Sequence, residues 1–234
     1  MSKIIIFSGA GISAESGVST FRDAGGLWEK HRIEDICSAG CLATNRDATL
    51  DFYDARRLQL AKVKPNHAHE EVAKISQKYP NDIAVITQNV DDLFERAGCK
   101  NVMHLHGFLT SIKCENCEYK KDIGYSKQNR DEKCPECGSL MRPDIVFFGE
   151  AAPMYQHFME ELNDCELFIA IGTSGTVINL NMFVGYIKYS ILNNLEPSNA
   201  IIEEYFTKVL YKPATKAIDE IVEDIEHFIS CGEI

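Results

Sequence analysis

The sequence lacks any apolar run approaching the roughly 20 residues needed to span a bilayer. Its first residues, MSKIIIFSGAG, reach glycine too soon to form the apolar core of an export signal. Basic residues are also scarce, with 24 Lys plus Arg against 35 Asp plus Glu and a formal charge of −11. Because a surface that follows nucleic-acid phosphates needs a basic stripe, that class of protein is disfavoured. We therefore expect a cytoplasmic protein that binds neither membranes nor nucleic acid.

The cysteines do not suit a disulfide framework. There are nine, an odd number, in a chain without an apparent export signal. Paired cysteines in such a chain are more typical of metal ligands, and four of the nine form two C-x-x-C pairs. We interpret the other five as small buried apolar side chains. These are Cys37, Cys41, Cys99, Cys165 and Cys231.

Short apolar runs alternate with helical stretches along much of the chain. Buried parallel strands are predicted at KIIIFSG, DIAVITQN and CELFIAIGTS, and more weakly at SILNNLEPS. Residues 214–230 have apolar side chains three and four apart, as in an amphipathic helix. This order predicts an α/β fold with a doubly wound parallel sheet. Because ligands of such sheets lie at the carboxyl ends of strands, we expect SGAGIS, TQNVDD and GTSGT to border one pocket.

Two stretches interrupt the alternation. Residues 31–70 are polar and helical, and residues 110–145 contain both C-x-x-C pairs. We predict that these insertions pack together as a small domain with a helical part and a metal-binding part. The remaining segments, 1–30, 71–109 and 146–234, are predicted to form the nucleotide-binding domain.

A metal site is the strongest chemical signal in the sequence. The pairs Cys114/Cys117 and Cys134/Cys137 are separated by 16 residues. Four thiolates complete a tetrahedral zinc shell and leave no open position, which is typical of a structural ion. The polar loop between the pairs cannot form a core, so the metal is expected to organise it. His104 and His106, close before Cys114, are therefore not needed as ligands.

The glycines after the first predicted strand indicate a nucleotide site without defining it. Gly9 and Gly11 lie between a predicted strand and a predicted helix, where backbone amides can approach a pyrophosphate. A plain tight turn would show the same spacing. The dehydrogenase fingerprint also requires an acidic residue after the second strand, whereas this chain continues as STFRDAGGLWEK. Hydride transfer is therefore disfavoured.

The motifs together are more specific than any one of them. In chain order they are GAGISAESGVSTFRDAGGLW, TQNVDDLFERAG, LHG, the two C-x-x-C pairs, RPDIVFFGE, GTSGT and NLEPS. With these motifs the chain resembles a bacterial sirtuin over essentially its whole length. The resemblance implies a Rossmann-like domain, one structural zinc ion, and NAD-dependent removal of acyl groups from lysine in proteins and peptides. The implied products are nicotinamide, an O-acyl-ADP-ribose and free lysine, and we expect a monomer.

The resemblance also implies roles for individual residues. His106 falls at the catalytic base, a role that suits histidine because its ordinary pKa of about 6.5 lies near working pH. His104 falls outside this motif and is expected to be structural or exposed. The implied cofactor-binding residues are Gly9, Ala10, Gly11, Phe21, Arg22, Gln88, Asn89, Asp91, Gly172, Thr173, Ser174, Asn194 and Glu196. The substrate backbone is expected to pair, as an added strand, with Val146, Phe147, Phe148 and Gly149.

Tyr53 and Arg56 bear on which acyl group is removed. They are three residues apart and so share one face of a helix. An arginine on a polar helix is most simply a solvated charge, yet the same Tyr-x-x-Arg pair occurs in sirtuins that prefer succinyl, malonyl or glutaryl lysine. An arginine fork beside a phenol can bind a carboxylate. We therefore expect succinyl or malonyl groups to be preferred and acetyl to be secondary, and Arg57 to be a surface charge.

Three features depart from the sirtuin pattern. Cys37 stands where desuccinylating members carry alanine, which predicts an open but narrower acyl pocket. After GTSGT, VINLNMF replaces a tyrosine–proline–alanine run, and YKPATKAID matches the adenine-side loop only loosely. The nucleotide contacts at these two places stay open.

Other functions also remain open at this point. The chain could act mainly as a deacetylase, or it could transfer ADP-ribose to proteins. A zinc ribbon that only binds partners is disfavoured by the acidic charge and by the amount of nucleotide-type core outside the zinc loop.

Overall fold

A six-stranded parallel sheet forms the centre of the molecule, for which the computed structural model describes residues 3–18 and 33–234. The four predicted strands are present as β1 Ile4–Ser8, β2 Ile83–Thr87, β7 Leu167–Ile171 and β8 Tyr189–Asn194. The edge strands β3 Met103–His104 and β9 Lys208–Tyr211 were not predicted. The strand order is β3-β2-β1-β7-β8-β9. β1 and β7 are buried along their whole length, as expected when both faces of a sheet are covered.

Helices cover both faces of this sheet, which confirms the doubly wound fold. Alternate side chains of β1 point to opposite faces. Ile4 and Ile6 belong to one apolar cluster with α5 His67–Lys78 and α8 Ala214–Cys231. Phe7 lies on the other face, where its ring stacks on Phe158 of α7 Met154–Leu162 at 5.3 Å between centroids. Within the described residues, no helix is both long enough and apolar enough to cross a membrane.

A smaller antiparallel sheet lies beside the large one. Its central strand β4 Gly107–Cys114 pairs with β5 Lys120–Asp122 and β6 Met141–Ile145. The other helices are α1 Gly11–Ala14, α2 Ile33–Ile36, α3 Cys41–Thr44, α4 Arg46–Leu60 and α6 Leu93–Ala97. Apolar side chains of α2 and α4 share a buried cluster with Leu109 of β4 and Ile145 of β6. The two insertions therefore contact each other, while their boundaries as a domain stay a prediction.

The interpretation of Arg57 as a surface charge is wrong. Its side chain is 0% exposed and donates from Nη2 to Asp54 Oδ1 at 2.6 Å. It also donates to the carbonyl oxygens of Leu109 at 3.1 Å and Ser126 at 3.2 Å. Burial lowers the pKa of Arg57, and Asp54 opposes that shift. Helix periodicity separates Arg57 from Arg56, but it cannot show that the metal-binding insertion covers this face of α4.

The interpretation of the five scattered cysteines holds for four of them. Cys37, Cys41, Cys99 and Cys165 are buried, whereas Cys231 is exposed. Cys231 ends α8, where its Sγ lies 3.3 Å from His227 Nε2. Phe228 in the same last turn is buried in the apolar cluster against the sheet, whereas the thiol of Cys231 reaches solvent.

We expect Arg57→Met to lower the free energy of unfolding by about 3–5 kcal/mol, because it leaves the Asp54 carboxylate buried without its cation. Urea denaturation followed by circular dichroism measures this change. Arg130→Met is the matched control, since Arg130 pairs with the exposed Asp51. The control should cost less than about 1 kcal/mol. Equal losses in the two variants would show that the buried pair is not stabilising.

Candidate active site and metal centre

A cavity of about 900 Å³ opens at the carboxyl ends of the large sheet. Strand order reverses there between β1 and β7, which is where open α/β sheets bind their ligands. Every cofactor or substrate residue implied by the sequence and described by the structure lines this one cavity. The residues expected to bind the cofactor are Gly9, Ala10, Gly11, Gln88, Asn89, Asp91, Gly172, Thr173, Ser174, Asn194 and Glu196. The residues expected to act on or bind the substrate are His106, Tyr53, Arg56, Val146, Phe147, Phe148 and Gly149, while Phe21 and Arg22 lie outside the described residues.

Two glycine loops meet at the point of strand reversal. Gly11 donates its backbone N–H to the carbonyl oxygen of Gly172 at 2.9 Å. A Cβ on Gly11 would lie 2.6 Å from the Cα of Gly172, whose own φ is +64°. Both positions therefore require glycine, one for close backbone approach and one for a left-handed conformation. The loops after β1 and β7 are fixed together and form one wall of the cavity.

A buried polar network orients Asp91. Ser13 Oγ donates to Asp91 Oδ2 at 2.9 Å, and the backbone N–H of Leu93 donates to Oδ1 at 3.2 Å. His69 Nε2 lies 3.3 Å from the same serine hydroxyl. Burial raises the pKa of Asp91, against the hydrogen bonds from Ser13 and Leu93, and burial lowers the pKa of His69 to about 4. His69 is thus a neutral ring that supports the serine.

His106 directly precedes β4, and its position depends on the backbone conformation of Gly107. Gly107 has a φ of +93°, and a Cβ there would lie 2.0 Å from the carbonyl oxygen of Asp144. Only glycine lets β4 and β6 approach this closely. The carbonyl oxygen of His106 then accepts the N–H of Val146 at 2.9 Å, which fixes the backbone of both segments.

The two ring nitrogens of His106 have different roles, one as a hydrogen-bond donor and one as an acceptor. Nδ1 lies 3.0 Å from the carbonyl oxygen of Gln88, and Nε2 lies 2.7 Å from Tyr155 Oη. A carbonyl oxygen can only accept, so Nδ1 carries the proton and Nε2 is the acceptor. Burial lowers the pKa of His106, with the Gln88 carbonyl opposing. The ring is therefore neutral near pH 7 and can take a proton at Nε2.

His104 has a separate, structural position. Its Nδ1 lies 2.8 Å from the carbonyl oxygen of Asn89, and its Nε2 lies 2.9 Å from Glu95 Oε1. Burial lowers the pKa of His104, but the Glu95 carboxylate outweighs this and raises it. The ring ties β3 to α6 rather than lining the cavity.

The part of the cavity around Tyr53 and Arg56 is formed by α4 and the segment after α2. Tyr53 Oη donates to Cys37 Sγ at 3.4 Å, and the ring of Tyr53 stacks on Phe147 at 5.8 Å. Arg56 Nη1 donates to Gln59 Oε1 at 2.9 Å. Burial lowers the pKa of Arg56, with Asp91 foremost among the opposing charges, and burial raises the pKa of Cys37 to about 11. The thiol therefore stays protonated beside a poorly solvated guanidinium.

One edge of the segment after β6 is already paired inside the chain. The backbone N–H of Phe148 donates to the carbonyl oxygen of Cys37 at 2.8 Å, and that of Val146 donates to His106. The backbone of Phe147 points the opposite way. Its N–H donates to Glu150 Oε2 at 3.0 Å, and its carbonyl oxygen accepts the backbone N–H of Glu150 at 3.0 Å. The backbone groups of Phe147 on the outer edge are thus bonded to Glu150, so a strand added there would have to displace these contacts.

The four paired cysteines form a site that fits a zinc ion. Their Sγ atoms all lie within 4.8 Å of one another, with 3.4 Å between Cys114 and Cys137 and 3.6 Å between Cys117 and Cys134. Tetrahedral coordination with Zn–S bonds of about 2.3 Å places sulfurs roughly 3.8 Å apart. Among the described residues no histidine joins this group. The histidines and the cysteines therefore serve separate sites.

A family model described as Sir2 family matches residues 9–179 of the chain. The chain belongs to the Sir2 family. It is 49% identical over 235 residues to a protein of Campylobacter jejuni (strain RM1221) named NAD-dependent protein deacylase, with 100% of each chain covered. A solved complex of a Sir2 homolog with NAD matches it with a TM-score of 0.84 at 32% identity, covering 97% of this chain and 90% of that one. A Sir2 structure with a deacetylated peptide and 3′-O-acetyl-ADP-ribose matches with a TM-score of 0.77 at 27% identity, covering 94% and 92%.

Membership in the Sir2 family confirms the resemblance inferred from the motifs, and the departures from the family pattern can be located. In VINLNMF, Ile178 and Leu180 are buried against the α7 face of the large sheet, whereas Val177 lines the cavity. In YKPATKAID, Lys212 and Pro213 also line it. Both segments thus contribute residues to the wall of the cavity.

Three polar residues of this Sir2-family site could not be identified from the sequence. Ser13 lies within GAGIS and His69 within PNHAH. The one feature that could have identified them is a polar side chain at a helical position that is buried in the fold. Tyr155 gave no signal, because it lies 49 residues from His106 along the chain.

We expect the purified protein to contain one zinc ion per chain, bound by the four thiolates. Cys134→Ala should release the ion and weaken the small sheet, because the remaining three ligands leave the polar loop without its centre. Metal content measured by mass spectrometry and unfolding temperature measured by calorimetry report the two effects. Cys231→Ala, which removes an exposed thiol outside the cluster, should change neither. Unchanged zinc content in Cys134→Ala would contradict the assignment.

Proposed function

We propose that this enzyme removes acyl groups from lysine side chains of proteins and peptides in an NAD-dependent reaction, with succinyl and malonyl preferred over acetyl. The relatives named NAD-dependent protein deacylase and the Sir2 complex with NAD support the reaction class. The observation that carries the proposal is that His106 lies in one cavity with both glycine loops and with Tyr53 and Arg56. NAD is the co-substrate, and zinc is the structural metal.

His106 performs the proton transfer in this proposal. Bound NAD would supply the ADP-ribosyl group that takes the acyl group. One water molecule is consumed when the C–N bond of the acyl-lysine amide breaks, so nicotinamide, an O-acyl-ADP-ribose and free lysine are released. His106 accepts the proton of a ribose hydroxyl at Nε2, while the Gln88 carbonyl holds the proton on Nδ1. A neutral ring of lowered pKa suits this step, because it is unprotonated before the reaction begins.

Asp91 is proposed to stabilise the positive charge that develops when the bond to nicotinamide breaks. Its carboxylate is oriented in advance by Ser13 and Leu93, so it need not reorganise as the charge appears. The amides of the loops after β1 and β7 provide donors for the phosphates of the cofactor.

Arg56 and Tyr53 are proposed to bind the terminal carboxylate of the acyl group. Arg56 is poorly solvated, so a carboxylate partner stabilises it more than it would a solvated arginine. The phenol of Tyr53 now donates to a thiol, which is a weak acceptor, and a carboxylate is a stronger one. The phenol can therefore turn from Cys37 to the ligand.

The remaining assignments concern architecture. We propose that segments 1–30, 71–109 and 146–234 form the NAD-binding domain, and that 31–70 and 110–145 form the small domain. Substrate binds between them as a strand along Val146–Gly149, and the enzyme acts as a monomer. In this arrangement zinc holds the small sheet that carries β4 and β6.

We expect the enzyme to remove succinyl faster than acetyl from one lysine peptide, and only when NAD is added. Mass spectrometry of the unmodified, acetylated and succinylated forms of the peptide measures both rates. His106→Ala should abolish both activities without unfolding the protein, whereas His157→Ala, an exposed control, should retain them.

Other outcomes of that assay would select another function. Faster loss of acetyl would identify a deacetylase and contradict the acidic-acyl preference. Mass that accumulates on a protein target would indicate ADP-ribosyl transfer. No reaction by folded, zinc-loaded protein would favour a binding module.

We expect Arg56→Met to lower kcat/KM for the succinyl peptide by roughly ten- to 150-fold, the loss of a charge-assisted hydrogen bond of about 1.5–3 kcal/mol. Activity on the acetyl peptide serves as the internal control and should change little. Arg56→Lys should be intermediate, because it keeps the charge but not the planar fork. An equal loss on both substrates would contradict the carboxylate role.

A further inference from the structure

The base nitrogen of His106 is already occupied by a side chain of the protein itself. Tyr155 Oη lies 2.7 Å from His106 Nε2, and the two ring centroids are 5.8 Å apart. Tyr155 is the second residue of α7 and lines the same cavity. The family motifs quoted above do not include it, and its contact with His106 joins residues 49 apart in the chain.

The direction of this hydrogen bond follows from the other side of the ring. Because Gln88 accepts from Nδ1–H, Nε2 has no hydrogen and must accept. Burial raises the pKa of the Tyr155 phenol, so its O–H is intact and available at neutral pH. The phenol therefore donates, and His106 accepts.

Neutral imidazole has a single basic lone pair, and the proposed reaction needs that lone pair for a ribose hydroxyl. Phenol and ribose cannot both donate to it in good geometry. We propose that Tyr155 is a positioning residue that occupies Nε2 of His106 in the substrate-free enzyme and is displaced by the ribose hydroxyl during binding. This role rests on the proposed function, since it assumes that His106 is the base.

In this role Tyr155 orients the imidazole of His106 before substrate binds and takes no part in the proton transfer. The phenol stabilises the neutral, Nδ1-protonated ring and keeps Nε2 directed into the cavity. When a hydroxyl replaces it, one O–H donor is exchanged for another, so His106 need not change tautomer or orientation. A bound proton on Nε2 would instead have to leave before the reaction could start.

Removing the phenol hydroxyl has a defined effect on the pH dependence. A donor to Nε2 favours the neutral ring, so Tyr155→Phe raises the pKa of His106 in the free enzyme. A neutral hydrogen bond corresponds to a shift of roughly 0.4–1 pH unit. The charged side chains that line the cavity among the described residues are Glu15, Arg56, Asp91, Glu150, Glu196 and Lys212. All six are retained in the variant, so they do not account for the difference.

The first test needs no substrate. Isotope-labelled histidine is titrated by NMR in wild-type protein and in Tyr155→Phe, with the His106 signals assigned by their loss in His106→Asn. We expect the His106 pKa to rise in Tyr155→Phe and to stay constant in Tyr186→Phe, a control at a side chain that is 91% exposed. An unchanged pKa in Tyr155→Phe would overturn the proposal, whatever the protein's activity.

The second test separates occupancy before binding from a role during turnover. The acid limb of kcat/KM reports the free enzyme, and that of kcat reports the enzyme with substrate bound. In Tyr155→Phe we expect the kcat/KM limb to move up by roughly 0.4–1 pH unit while the kcat limb stays in place. A shift of both limbs would mean that the phenol stays on Nε2 throughout. Loss of activity at every pH would make Tyr155 a catalytic residue, and either result overturns displacement.

The two tests keep this inference distinct from the proposed function. If the wild-type protein shows no NAD-dependent deacylation, the proposed function is wrong. The NMR titration would still show whether Tyr155 donates to Nε2 of His106. Active wild-type protein with an unshifted titration would remove only the role of Tyr155.

Discussion

The arrangement of the site depends on the contact between the two glycine loops that follow β1 and β7. These neighbouring parallel strands lie where the order of the sheet reverses, so their loops diverge to opposite faces and leave a crevice. The backbone hydrogen bond from Gly11 to Gly172 fixes the depth of that crevice. Any side chain at either position would force the loops apart. The polar residues at the ends of β2 and β8 then face a wall of defined shape.

A second set of buried contacts connects α4 to the small sheet. Arg57 and Asp54 of α4 bind the chain around β4 and the metal-binding insertion, and β4 in turn begins beside His106. Zinc fixes the far end of the same sheet through Cys114, the last residue of β4. His106 and α4 are therefore both supported by a strand whose other end carries a cysteine of the metal site.

The sequence contained enough information for the central parallel strands and for the chemistry of the motifs. Strands buried on both faces are continuous apolar runs, so β1, β2 and β7 could be recognised without tertiary knowledge. β9 could not, because it is a four-residue edge strand of partly buried side chains. α7 is short, and its helical pattern was not distinguished from a loop.

The errors and omissions at the site arise from contacts between distant segments. Periodicity placed Arg57 away from Arg56, but the segment that covers it begins more than fifty residues later in the chain. Tyr155 likewise reaches His106 only because α7 packs across the sheet. Cys37 could be located as a departure in the acyl pocket, yet its hydrogen bond with Tyr53 required the fold. Local patterns identify residue types and faces, and the three-dimensional packing decides partners.

The adjacent arginines of α4 have consequences for how such an enzyme can diverge. Arg57 is enclosed by the protein, whereas Arg56 lines the cavity. Two residues that are neighbours in the gene therefore serve different parts of the structure. A change at Arg56 alters the wall of the cavity, whereas a change at Arg57 alters the packing between α4 and the metal-binding insertion.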